Sequence, residues 1–464
     1  MPTGNRAPRL KRLLRTAGYT LLVAAIVLLT IGLVAMGRGY RFNWRTGEIS
    51  GGGLLLISSL PNGATIKVGD QEPGKRTPAR LSLNAGNFYV QLTSAGYRPW
   101  SKTLNVGVSE VTYAQYPLMV PETISTTQLL SLPDLSDFKQ SPNRRRLAWS
   151  NGGAQQQVSM LDIGADEPKM VYRGANDKGV VESLAWSPDS RRLLLGLRTH
   201  ELRYLLVDVE NPTEPIDLND QFKLPLGGLK FGGRDWSQLF WPSPEGLRRL
   251  NVGERTVSAP LIPGASRFTV GKNLVFAVQK LGNSHQLVSL DDNGQTKVIV
   301  GNLPTPDYGL AAVSYDDKHY LVALNRPRGL VSLYDATSES QQTIGSFDTV
   351  IAEQISVSPD NRFLIMQAKN QFASYDFDLA RLHRFALPAD PTSPLTWLGN
   401  YHLLGTVNGQ LLLFEFDGAN QTLLTETESN FAAFASRDRR LIYSIGRNAN
   451  GLPVLRVSTL ILDN

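Results

Sequence analysis

The chain has 464 residues, 42% hydrophobic and 19% charged, with 41 glycines, 27 prolines and no cysteine. That length corresponds to about three domains with real cores, which excludes a disordered or low-complexity protein. Lack of cysteine excludes disulfides, zinc-thiolate and iron-sulfur sites, and thiol nucleophiles. The formal charge of +6 is local, because the first 45 residues carry eight basic side chains and no acidic one. Removing those eight from 47 leaves 39 basic against 41 acidic residues, a net of −2, so nucleic acid is not an expected partner.

Between Arg15 and Arg38 lie 22 uncharged residues, TAGYTLLVAAIVLLTIGLVAMG. As a helix they extend about 33 Å, enough to span a bilayer once. Arg6, Arg9, Lys11, Arg12 and Arg15 precede the run, and the positive-inside rule makes them the topology determinants. The expected organisation is a cytoplasmic basic arm over 1–15, a transmembrane helix over 16–37 and an extracytoplasmic remainder, at a cell surface or in a periplasm. A cleaved signal peptide is the alternative, since Ala35-Met36-Gly37 offers small residues, although the apolar run exceeds the roughly 7 to 15 residues of such segments. Residues 38–53, ending EISGGG, read as a flexible linker.

From Leu54 to Val120 short apolar and β-branched runs alternate with turn residues, which predicts a small all-β domain. Ile66 and Val68, then Leu81 and Leu83, alternate with polar neighbours, and Tyr89 is placed opposite Phe88 and Val90. The turn Pro61-Asn62-Gly63-Ala64, flanked by Ser58-Ser59, Gly74, Thr77-Pro78, Gly86, Gly96-Tyr97 and Trp100, resembles the PEGA domain family. That resemblance implies a compact, sandwich-like surface module without catalysis. Asn62 stands where the family has Glu, so a role for that carboxylate does not carry over; Asn before Gly suits the tight turn, and turn geometry is the expected role of Pro61 and Gly63.

Residues 121–464 repeat. A turn recurs at Ser141-Pro142-Asn143, Ser187-Pro188-Asp189, Ser314-Tyr315-Asp316, Ser358-Pro359-Asp360 and Ser436-Arg437-Asp438, each between apolar strand-like runs. Degenerate copies fall at Phe231-Gly232-Gly233, Val270 to Asn273 and Leu398 to Tyr401, and the unit is about 42 residues. All-strand repeats of that period predict a β-propeller with four strands per blade. The turns resemble those of TolB-like and WD-repeat-like propellers. The spacing from Ser141 to Ser436 implies eight blades, or seven if the unit at Gly232 is an insertion. The last unit has three strands, and Glu122 to Leu132 is the candidate to complete it and close the ring.

Sequence patterns for chemistry are sparse. His200, His285, His319, His383 and His402 fall singly in different units, and G-x-S-x-G, P-loop and G-x-G-x-x-G patterns are absent. Asp291-Asp292-Asn293-Gly294 suits a hairpin better than a calcium loop. Trp149, Trp186, Trp236, Trp241 and Trp397 lie near the repeat turns and are expected mainly in inter-blade packing. No catalytic residue, metal or cofactor is assigned. The expected function is a membrane-anchored binding or scaffold module for an envelope protein or cell-wall glycan. The alternative is a propeller glycan hydrolase or lyase with carboxylates gathered in the central channel; oligomeric state is not legible.

Overall fold

The computed structural model describes residues 7–37, 40–42, 49–152, 156–174, 179–233, 235–271, 274–291, 294–336, 343–428 and 430–462. The chain divides into two compact units, Met1–Thr123 and Ile124–Asn464.

The first unit opens with α1 (Ala7–Gly37), whose stretch Thr16–Ala35 is long and apolar enough to cross a membrane. Strands β1 (Tyr40–Phe42), β2 (Ile49–Ile57), β3 (Thr65–Val68), β4 (Ala79–Asn84), β5 (Gly86–Thr93), β6 (Trp100–Val106) and β7 (Val111–Ala114) follow. One edge of β2 pairs with β4; the other takes β1 antiparallel and then β7 parallel. The second sheet runs β3-β5-β6. Alternation places Leu55, Ile57, Ile66, Val68, Leu81, Val90 and Leu92 inside and leaves Tyr89 outside. The expected flexible linker needs correction. Tyr40–Phe42 and Ile49–Gly51 form a hairpin, because the β2 edge beside residues 49–51 is free to accept another strand.

In the second unit the described residues form eight successive antiparallel sheets, a β-propeller in which each sheet is one blade. The third, at Gly232, is a sheet in its own right with its outer strand split between Thr256–Val257 and Ile262–Pro263. The middle strands explain the long apolar runs of the sequence. Leu193, Leu195 and Leu197 pack toward the first blade, whereas Leu194, Tyr204 and Leu206 pack toward the third. A strand covered on both faces cannot show polar alternation. Two short helical turns also occur. The segment EPIDLND ends its strand at Asp217 and continues as α2 (Leu218–Phe222), because the Asp217 side chain caps the Asp220 N–H. A 3-10 turn at Arg326–Arg328 is the other.

The eighth blade takes its outer strand from Thr126–Ser131, which pairs antiparallel with Pro453–Thr459. Leu132, Phe138, Leu147, Trp149 and Leu161 then pack with Tyr443, Ile445 and Leu455, which joins the last blade to the first.

Four repeat turns share one geometry. In each, the Ser hydroxyl donates to the Asn or Asp two residues on (Asn143, Asp189, Asp360, Asp438) and accepts the N–H five residues on. The residue between, Arg144, Ser190, Asn361 or Arg439, has φ of 58° to 63°. The copy at Ser314 departs from them. It is a two-residue hairpin with Tyr315 opposite Lys318 and positive φ at both Asp316 and Asp317.

Candidate interaction surface

The turn at Pro61 to Ala64 is tied down by two buried hydroxyls. Ser59 Oγ donates to the Pro61 carbonyl at 2.6 Å, the Ser59 and Thr77 hydroxyls lie 2.6 Å apart, and Thr77 Oγ1 accepts the Ala64 N–H at 3.0 Å. Gly63 has φ of 91° and donates to the Thr77 carbonyl; Asn62 is exposed. Of the topology residues, Arg9, Lys11, Arg12 and Arg15 lie on α1 ahead of Thr16, and Arg6 lies outside the described residues.

On the propeller, loops joining strands one to two and three to four share one face. There, arginines of the repeat turns bridge neighbouring blades. Arg146 bonds Asp162 at 3.0 Å within its blade and also Glu210 of the second blade. Burial alone would raise the Asp162 pKa, but hydrogen bonds from Arg146 and Lys169 hold it below the ordinary carboxylate value. Arg192 stacks 3.6 Å from the Trp236 ring of the third blade. Arg362 donates to both Asp376 oxygens at 3.1 and 2.8 Å and lies 5.8 Å from the Tyr401 ring of the seventh. Burial works against the Arg362 cation, yet Asp376 outweighs it and keeps its pKa above the arginine norm. Burial, with a hydrogen bond to Asp378, pushes the Tyr315 hydroxyl up to about 12. Arg144 reaches from the first blade to the Trp397 and Leu398 carbonyls of the seventh at 2.9 and 2.7 Å. These contacts use arginines of this face to hold neighbouring blades together.

Two carboxylates on innermost strands, Asp137 and Glu182, are each tied to a cation. Asp137 pairs with Lys139 at 2.9 Å and accepts the Leu184 N–H, while Glu182 is held by Arg198 at 2.8 Å. Among the described residues no three His, Asp or Glu side chains are placed to share a metal. His319 bonds the Ser314 hydroxyl at 2.7 Å, His383 meets the Phe416 ring edge-on, and His402 is buried. Trp149, Trp186 and Trp241 are inter-blade core. Trp236 is half-buried beneath Arg192, and Trp397, also half-buried, donates to Ser356 Oγ at 2.9 Å.

The opposite face carries open space between the seventh and eighth blades. Two adjoining grooves of about 450 and 320 Å³ share Glu426, Arg447 and Arg456 in their walls. Arg447 pairs with Glu428 at 2.5 Å, and Arg456 donates to the Arg447 carbonyl at 2.5 Å, which holds both guanidiniums at the rim. Thr126 and Gln128 of the closing strand line the larger groove, so ring closure also builds its wall. The groove presents fixed cations, a carboxylate at Glu426 and amide groups, suited to polar recognition. No motif marks Glu426, Arg447 or Arg456, because they meet only when two blades and the closing strand come together.

The architecture is that of a β-propeller protein with a small two-sheet domain and one apolar helix ahead of it in the chain. Residues 53–121 match the PEGA domain family, so the resemblance carried by Pro61 to Ala64 and Trp100 is borne out. No curated protein matches the chain. Solved structures with a similar fold include the β-propeller domain of Myceliophteria thermophila Cps50 (Swd1), 13% identical with a TM-score of 0.43 over 73% of this chain and 100% of that one. Saccharomyces cerevisiae Sqt1 is 12% identical, with a TM-score of 0.48 over 74% and 98% of the two chains. A chain of a Mitotic Checkpoint Complex is 12% identical, with a TM-score of 0.37 over 74% and 92%.

Proposed function

We propose that this protein is a membrane-anchored, extracytoplasmic scaffold whose propeller binds an envelope protein at the groove between its seventh and eighth blades. The observation that carries the reading is that groove, walled by Glu426, Arg447 and Arg456 and open between the seventh and eighth blades. A rigid propeller loses little conformational freedom when its loops engage a partner. The glycan-enzyme alternative is less supported, since Asp137 and Glu182 are each tied to a cation.

A photo-crosslinking residue at Ala449, in the groove wall, tests this in intact membranes against the same probe at exposed Lys318 in the fifth-blade hairpin. A discrete protein adduct should form from position 449 and disappear with Arg456→Glu. The proposal fails if adducts are equal from both positions or insensitive to that reversal. Turnover of a wall glycan by purified protein, abolished by Glu182→Gln, would promote the enzyme reading.

A further inference from the structure

The small domain begins almost at the end of the helix. β1 starts at Tyr40, three residues after α1 ends at Gly37, and Tyr40 pairs with Gly51 of β2. Three residues reach at most about 11 Å. The two helical residues beyond Ala35, where the apolar stretch ends, add about 3 Å. Tyr40 and Gly51 therefore lie within about 14 Å of the hydrocarbon edge, and headgroups fill roughly the first 5 to 8 Å of that interval.

The same end of the domain exposes apolar side chains beside Ser109 and Glu110. Val108, in the loop between β6 and β7, packs so closely on Gly51 that a Cβ there would sit 2.7 Å from both Val108 methyl carbons. The turn before β5 joins it, with the Ala85 N–H donating to the Gly51 carbonyl at 2.8 Å. Tyr40, Val108 and Val111 are 40%, 41% and 43% exposed, although Val111 lies on a strand whose other face is core. The sequence from Arg38 to Arg45 carries three arginines, and the first acidic residue after it is Glu48.

We infer that this end of the domain is seated on the bilayer surface, with Tyr40, Val108 and Val111 in the headgroup layer and the positive charge of residues 38–45 favouring anionic lipid. The inference rests on reading α1 as a retained anchor. Tyrosine suits the interface because its ring is apolar and its hydroxyl is not. Each exposed valine contributes little alone, but a tether this short keeps the patch at the surface, so weak contacts suffice. Ile57, six residues beyond Gly51 on β2, stands about 20 Å from it, and Asn62 follows at that opposite end of the strand.

A chain without cysteine allows single-site labelling. Full-length protein carrying Val108→Cys, Val111→Cys or Asn62→Cys, each labelled with nitrobenzoxadiazole, is reconstituted in phosphatidylcholine vesicles with or without phosphatidylglycerol. Quenching by lipid spin-labelled near the headgroup should be severalfold stronger at 108 and 111 than at 62, and stronger still with phosphatidylglycerol. Equal quenching at all three sites, or water-like emission at 108 and 111 in protein that floats with the vesicles, overturns the seat. Protein that fails to float overturns the anchor reading instead.

Discussion

Leu455 lies where the propeller closes. Its side chain is fully buried with Leu132, Phe138, Trp149 and Ile445, and its backbone pairs with Leu130 of the closing strand. Leu455→Ala leaves a cavity between two blades that cannot collapse onto it independently, at a cost of about 3 kcal/mol. Unfolding a unit of about 340 residues releases about 0.7 kcal/mol per kelvin of entropy, so the melting temperature should fall by about 4 °C. Starting the soluble chain at Leu135 removes the whole strand, the 2.8 Å contact between Thr126 and Ser458 hydroxyls and the Leu132 packing, and it exposes the edge of Pro453–Thr459. That chain should melt below the Leu455→Ala protein and aggregate on size exclusion. Equal melting temperature and solubility for chains starting at Val120 and at Leu135 would refute closure by this strand.

Asp376→Asn should cost about 3 kcal/mol in urea unfolding by leaving the half-buried Arg362 cation with only the more exposed Asp378 carboxylate at 3.1 Å, and Arg362→Met in that background should recover part of the loss; a further loss instead would count against the ion pair. Asp162 and Asp208 both titrate below their ordinary value of 3.8 in the folded protein, so the stability they contribute is complete above that value and is lost as pH falls through the lowered ones. Asp208→Asn should therefore flatten the acid limb of the melting-temperature profile, and an unchanged limb would show that the Arg191 pairing does not contribute. Gly246 has φ of 142°, and a Cβ there would meet the Ile262 carbonyl oxygen at 2.3 Å, so Gly246→Ala should destabilise the third blade, read as faster amide exchange in 256–263. Protease outside intact spheroplasts should remove a C-terminal tag, whereas deletion of residues 16–37 should yield soluble protein; a protected tag would reverse the orientation.

Features governed by neighbouring residues were legible in the sequence. The apolar run from Thr16 is continuous in sequence, the PEGA turn and the Ser-Pro-Asp turns carry short local signatures, and the 42-residue spacing follows from repeating one such unit. Even the closing strand could be inferred, because a three-stranded last unit and an unpaired first segment leave complementary edges. The hairpin at Ser314 was grouped with the other turns because Asp-Asp supports two turn types, and a missing proline does not tell them apart, since the Ser436 copy lacks it and keeps the shared geometry. Residues 38–53 lack strand periodicity, and only the free edge of β2 draws Tyr40–Phe42 into the sheet. Partners of the charged residues were also beyond reach. Arg146 finds Glu210 and Arg144 finds the Leu398 carbonyl across 64 and 254 positions, and the groove at Glu426, Arg447 and Arg456 exists only between assembled blades. Such pairings are set by blade packing rather than by local conformation, so tertiary structure alone decided which charges are engaged and which remain available at the surface.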